Sequence, residues 1–384
     1  MRLLSVYPDM LPVLLHKALG QIPLYLAREH GWACEFAFVQ AEDEPLIYPT
    51  DYTDYVMVRR LAVTASRQLK LATILAHVVR RARLTDVLLL YHFTPETLLY
   101  ATAYKAMNPN GITLLKLDMD RRGLAAFESP QSLKQRGLVR LLKSAPLDIV
   151  TIETQRMLRS LAPQFRRMKI NLKYLPVGFA GHEIIDIDRM LAAKENIILT
   201  VGRLGIPQKN NQLLLDAMID LGPEKLANWS VVMAGTRTPQ FEEIIASFRR
   251  ENPKLAERLV VHDFIADREA LYDLYRRARV YCLTSHWESF ATVLAEASFF
   301  GCYPVSTDVG AAYDLTQGGR YGTLLREGDR TLLSGALHRI IDGEIDTSDA
   351  GKRLHDRVLN SFTWSHVADR VSEEVAVCRD ERSP

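Results

Sequence analysis

The segment Ile197–Met218, IILTVGRLGIPQKNNQLLLDAM, opens as a short apolar run, turns through Gly202-Arg203 and continues from Asn210 as a leucine-rich helix to Leu221. A five-residue run of this kind bounded by turn residues is a strand buried on both faces, and the whole is one βα unit. The alternation repeats downstream. Strands at Ser230–Ala234, Leu259–His262, Val280–Thr284 and Tyr303–Thr307 alternate with helices at Phe241–Asn252, Glu269–Ala278 and Thr292–Phe300, and two helical stretches, about Arg330–Asp342 and Ser348–Arg379, follow. Upstream the same rhythm gives strands at Leu3–Tyr7, Ala33–Val39, Asp86–Tyr91, Ile112–Leu117 and Leu147–Ile152. The helices between them are Leu11–His30 (interrupted by Pro12 and Pro23), Val63–Arg83, Pro95–Met107 and Ser129–Lys143. Apolar strands between helices predict an α/β fold with two doubly wound parallel sheets.

The chain has 384 residues, enough for two or three domains at roughly 150 residues each. Its 48% apolar and 24% charged residues exclude a disordered or fibrous chain. No apolar run reaches the ~20 residues of a membrane span, and MRLLSVYPDM lacks the apolar core and cleavage site of a signal peptide. Cys34, Cys282, Cys302 and Cys378 show no CxxC spacing, which argues against a disulfide framework or a zinc site and for a reducing cytoplasm. The stretch Tyr174–Gly181, YLPVGFAG, reads as a hinge, placing one domain at 1–176 and another at 177–361. Residues 1–175 hold 24 Lys/Arg against 15 Asp/Glu, and the remainder 24 against 31. A basic half suits an anionic membrane, phosphates or nucleic acid, or is simply an unevenly charged surface. No aromatic-interleaved basic motif supports nucleic acid.

Doubly wound sheets bind ligands at the carboxyl ends of their strands. No GxGxxG, GxxxxGK[ST], HExxH, GxSxG or DFG element occurs. What does occur is strand, Gly202-Arg203-Leu204, loop, Lys209 and helix. Gly202 permits a tight turn, Arg203 is a fork suited to phosphate oxygens, and Lys209 adds a charge at a helix start. A capped helix with two surface cations is the plainer alternative. Glu288 stands before the next helix, where its carboxylate also suits the helix dipole. Glu296, two turns further on in an apolar helix, needs partners, which a pair of ribose or sugar hydroxyls would supply.

These residues carry a resemblance. VGRLGIPQKNNQLLLDAM, VVMAG and HWESFATVLAEASFFGCYPVSTDVGA resemble, in order and spacing over about residues 196–316, the nucleotide-sugar domain of family 4 glycosyltransferases, with Glu288 and Glu296 as the Glu-x7-Glu motif. The resemblance implies a GT-B fold, two Rossmann-like domains facing each other across a cleft. It implies a retaining, metal-independent glycosyltransferase that moves a sugar from a UDP- or GDP-linked donor to a hydroxyl, in cell-surface polysaccharide or glycolipid synthesis. The acceptor domain is 1–176, the donor domain 177–361, and helix 362–384 packs back on the former. The catalytic set is Arg203, Lys209, Glu288 and Asp118. The donor set adds Gly202, Gly235, Phe290, Ala291, Thr292 and Glu296, with Glu296 on ribose, Glu288 on the sugar and the amides of 290–292 near phosphate. The family commonly has EGFG where this chain has Glu288-Ser289-Phe290-Ala291.

The first half matches in architecture only. A family histidine often faces the reacting sugar. Here LLKLDMD offers Lys116, Asp118 or Asp120, and YHFTPET offers His92, which is equally read as a neighbour of the helix cap Thr94. No cofactor is expected; the partners are the nucleotide sugar, a glycan or lipid-linked acceptor and an anionic inner leaflet, reached through Arg80-Arg81-Arg83, Arg121-Arg122 and Arg166-Arg167. A GT-B epimerase and a catalytically silent sugar-nucleotide-binding subunit remain the alternatives.

Overall fold

The structure, a computed structural model, describes residues 1–382 apart from 44, 47, 49, 50 and 181–184, with the backbone alone described at 12, 13, 126, 128 and 134. The chain divides into two compact units, Met1–Gly178 with Trp364–Pro384, and Phe179–Thr363. Gly181, the end of the expected hinge, lies outside the described residues, as do 383 and 384 at the end of the expected helix 362–384.

The first unit is built on seven strands: β1 (Arg2–Met10), β2 (Ala33–Gln40), β3 (Val56–Val63), β4 (Val87–Tyr91), β5 (Ile112–Lys116), β6 (Ile149–Ile152) and β7 (Asn171–Tyr174). They lie in the order β3-β2-β1-β4-β5-β6-β7, parallel throughout. The central β4, β5 and β6 are buried at every residue, as sheets covered by helices on both faces require. The second unit has β8 (Glu195–Val201), β9 (Ser230–Ala234), β10 (Leu259–His262), β11 (Ala278–Leu283), β12 (Tyr303–Thr307) and β13 (Thr323–Leu325), in the order β10-β9-β8-β11-β12-β13, again parallel. In each sheet the order reverses beside the first strand, at β1/β4 and at β8/β11, so each has its ligand crevice outside those carboxyl ends.

Four expected helices are different in the structure. The stretch Val63–Arg83 is not one helix: Val56–Val63 is the edge strand β3, paired with β2, and the helix is Arg67–Arg81, started by Ser66, whose hydroxyl accepts from Leu69 N. Arg59 and Arg60 in an edge strand remain solvated, which hid its strand character. Ser129–Lys143 gives way to helices Arg121–Glu128 and Leu133–Ser144, capped by Asp120 and Ser132 on either side of Pro130. Leu11–His30 splits into a 3-10 turn, Pro12–His16, and a helix, Ala18–His30. Ser348–Arg379 is two helices, Thr347–Ser361 and Trp364–Asp380, broken where Phe362 O accepts from Phe179 N at 2.7 Å.

The helix Trp364–Asp380 belongs to the first unit. Val367, Val371 and Val375 are buried at four-residue spacing. Its polar side meets the same unit through His30–Asp369 (3.0 Å), Ser365–Glu29 (2.8 Å) and Lys173–Glu374 (2.7 Å). All four cysteines are buried and free.

Candidate functional site

In the second unit the loops after β8 and β11 come together at the switch point. Gly202 (φ +157°) leaves β8, and Gly235 (φ +146°) leaves β9. A Cβ on Gly235 would lie 1.7 Å from the Gly202 carbonyl oxygen, so only glycine allows this approach. The strand pairing then runs on into the loops: Gly202 N donates to Ala234 O (2.9 Å) and Leu204 N to Thr236 O (2.8 Å).

Lys209 ends the short turn Pro207–Lys209 and is pinned there by Thr284 Oγ1, which donates to its carbonyl at 2.9 Å. Its Nζ donates to Glu288 Oε1 at 2.5 Å, and both side chains are nearly buried, at 14% and 11% exposure. Ser285 Oγ donates to the same carboxylate oxygen at 2.7 Å. Gln208 braces the two loops. Its Nε2 donates to Trp287 O (2.9 Å), its Oε1 accepts from Arg203 Nη2 (3.1 Å), and its own carbonyl accepts from His286 N (2.8 Å). Arg203, Lys209 and Glu288 are thus gathered at one crevice, with Arg203 exposed to solvent.

Phe290 and Ala291 lead into the helix Thr292–Phe299. Ala291 takes φ +72°, ψ +64°, a left-handed conformation that costs an alanine about 1–2 kcal/mol. It is the position where the resembled family carries a glycine. No side chain caps this helix, so the amides at its start are open to an acceptor. Glu296 is 5% exposed. The protein itself supplies partners for it: Arg268 Nη2 donates to Oε1 at 2.9 Å and Tyr275 OH to Oε2 at 3.1 Å. Burial first, and Glu296 second, push the Tyr275 phenol well up, so it remains a donor. Arg268 also lies over the Tyr272 ring, 4.8 Å from its centroid. A sequence reading that looked for hydroxyl partners missed Arg268 and Tyr275, which lie on a helix more than twenty residues upstream.

In the first unit the switch point is made of side chains. His92, just past β4, has φ +60°, and its Nε2 lies 3.3 Å from the hydroxyl of Tyr7 in β1. Burial, assisted by Lys116 and opposed by Asp118, pulls the His92 imidazole below its ordinary range, which favours the neutral ring. Thr94 does cap the following helix, in a capping box with Thr97, and Thr97 Oγ1 donates to His92 O at 3.0 Å. Lys116 is not a free cation: it is 3% exposed and paired with buried Glu153, whose carboxyl burial pushes up against the pull of Lys116. Asp118 is exposed, whereas Asp120 caps the helix Arg121–Glu128. Tyr7 and the ion pair Lys70–Asp9 at 2.5 Å were not legible, because β1 and the helix carrying Lys70 are some sixty residues apart.

Residues 195–343 match the family model for glycosyl transferases group 1. Among curated proteins, an N-acetylgalactosaminyltransferase of Campylobacter jejuni acting on an undecaprenol-diphosphate-linked glycan is 30% identical over 178 residues, 46% of each chain. The chain spans about half the length of the curated relatives it matches. Among solved structures, a sucrose-phosphate synthase from Thermosynechococcus elongatus superposes with a TM-score of 0.72 at 18% identity, covering 99% of both chains. HepE of Anabaena, solved with UDP, superposes with a TM-score of 0.70 at 17% identity, covering 98% and 100%. The fold is that of the GT-B glycosyltransferases.

Proposed function

We propose that this chain, whose residues 195–343 match the glycosyl transferases group 1 model, is a retaining glycosyltransferase that moves a sugar from a UDP- or GDP-linked donor to a hydroxyl of a glycan or lipid-linked acceptor. Its setting would be cell-surface polysaccharide or glycolipid synthesis at the cytoplasmic face of an anionic membrane. One observation carries this reading: Arg203, Lys209 and Glu288 meet at the carboxyl-end crevice of β8 and β11, on loops joined by the hydrogen bond from His286 N to Gln208 O. The UDP bound by HepE and the lipid-linked glycan of the Campylobacter relative support the two substrate classes.

In the proposed reaction a diphosphate draws the Lys209 ammonium away from Glu288, which then turns to the donor sugar. Arg203 takes up the second phosphate, and Glu296, held in place by Arg268 and Tyr275, keeps a free lone pair for a ribose hydroxyl. The bond between the anomeric carbon and the phosphate oxygen breaks with its electron pair on that oxygen. The acceptor oxygen bonds the anomeric carbon on the same face. Its proton passes to the departing phosphate oxygen, with Asp118 the side-chain alternative. Lys209, Arg203 and the amides of 290–292 stabilise the growing negative charge, the largest catalytic contribution in sites of this kind. Two cations at that place make the reaction metal-independent.

The test is product analysis with a panel of UDP- and GDP-sugars, with and without acceptor. Turnover only with acceptor, giving the donor's anomeric configuration, supports the reading. Isomerisation of the donor alone identifies an epimerase, and binding without turnover a silent subunit; either overturns it.

A further inference from the structure

We infer that the helix Leu133–Ser144 of the first unit lies on an anionic lipid surface, with Leu133 and Leu141 entering the headgroup layer. This rests on the reading of a lipid-linked acceptor. The helix is fixed locally. Ser132 Oγ accepts from Gln135 N and Gln135 Oε1 from Ser132 N, both at 3.1 Å, closing a capping box. One face is anchored: Leu142 is 1% exposed, and Leu138 and Val139 pack against the core of the unit.

The opposite face has no such cover. Leu133 is 85% exposed, the most exposed large apolar side chain among the described residues, and Leu141, two turns on, is 48% exposed. Gly137 lies between them on the same line, with open space where a Cβ would stand. Arg136, Arg140 and Lys143 are exposed beside this line, at i+3, i+7 and i+10 from Leu133. No Asp or Glu occurs from Ser129 to Leu147. Apolar residues flanked by cations on one face of a helix are what an interfacial helix needs.

Several other basic residues of this unit are already engaged. Arg81 pairs with Glu35 (2.7 Å), Arg80 meets His77 Nδ1 (2.9 Å), Arg122 pairs with Asp120 (2.8 Å), and Arg67 pairs with Glu96. Arg80 and Arg81, expected from sequence to face the membrane together with Arg83, are therefore tied back into the protein. Arg140 and Lys143 meet no carboxylate among the described residues. A nucleic-acid phosphate backbone would leave the two leucines in water, and the face offers no aromatic ring for a base to stack on. The connection bearing the helix, from β5 to β6, also carries Asp118, so a lipid-facing helix here places the bilayer on the same crossover as the acceptor-side carboxylate.

Co-sedimentation with phosphatidylcholine vesicles, with and without phosphatidylglycerol, tests this. The full chain should partition at least about tenfold better to the anionic vesicles and lose that preference at high salt, since each basic residue near the surface contributes about fivefold. Leu133→Glu with Leu141→Glu should cut partitioning about tenfold or more without lowering the melting temperature, and Arg140→Glu with Lys143→Glu should remove the lipid preference. Leu332→Glu, at a 44% exposed leucine of the second unit, should change nothing. Equal binding to both vesicles, wild-type binding by the leucine variants, or a leucine-dependent dimer in sedimentation velocity would overturn the inference. Calorimetry with UDP and GDP keeps the two readings apart: lost nucleotide binding with lipid binding intact refutes only the transferase, and the converse refutes only the lipid face.

Discussion

The second unit's switch point is bordered by a close glycine backbone contact and the first unit's by side chains, although both sheets share one strand order around it. Beside it, after β8 and β9, two glycines let adjacent loops touch, and Lys209 lies next to Gly202 while pairing with Glu288 of the loop after β11. At β1/β4 the place of those glycines is taken by Tyr7, Asp9, His92 and Asp118, with a buried Lys116–Glu153 pair beneath. Topology therefore fixes where a ligand sits, and the loop residues fix what kind. An anion needs close amides and fixed positive charge; a hydroxyl acceptor needs groups that accept a proton and tolerate variety.

The comparison breaks most directly at Lys209. Lys209→Ala should lower turnover by about 10²–10³ while donor affinity falls less, because charge on the diphosphate grows toward the transition state. His92→Ala, with no such charge to face, should cost less in turnover. Equal losses in steady-state kinetics would erase the distinction between the two crevices. Gly235→Ala comes next. Its methyl group would fall on the Gly202 carbonyl in a positive-φ conformation, and urea denaturation should show a loss of about 3 kcal/mol.

Glu296→Ala separates binding from chemistry. Ribose contacts change little along the reaction, so the donor KM should rise with turnover nearly kept. The variant also frees Arg268 and Tyr275, and should lose about 1–3 kcal/mol of stability. Unchanged KM with lowered stability would make Glu296 a structural carboxylate. The smallest effect is expected at His92. Its folded-state pKa is lowered by burial, so its midpoint by NMR should lie below the ordinary value of about 6.5. A group lowered in this way favours the folded state above its unfolded pKa, and that stability is lost as pH falls through the folded value. A midpoint above the ordinary value would show Asp118, rather than burial, in control.

The same contrast explains what was legible in the sequence. Gly202, Arg203 and Lys209 stand within eight residues of one another, and Glu288 and Glu296 exactly eight apart in number, so the second unit's site could be read as spaced motifs. The strand–helix alternation was legible wherever strands were buried on both faces, as in β4, β5, β9 and β12. It failed at β3, whose arginines are solvated at a sheet edge, at the helix Arg121–Glu128, which was not expected, and at the break Phe362-Thr363, where the hydrophobic period runs on through the stop. Partners far apart in sequence were not legible in either unit: Tyr7 for His92, Glu153 for Lys116 and Arg268 for Glu296.

The return of the chain at Trp364 has a consequence for biosynthesis. The first unit is completed by a helix made only after the whole of Phe179–Thr363 has been translated. At roughly 5–20 residues per second, that interval is about 10–40 s. Throughout it the helix Ala18–His30 lacks the partner that the helix Trp364–Asp380 later provides, while the second unit already has every residue its own sheet requires. The nascent first unit is therefore the client that a chaperone would meet, and the second unit, encoded within it, is the one able to fold first.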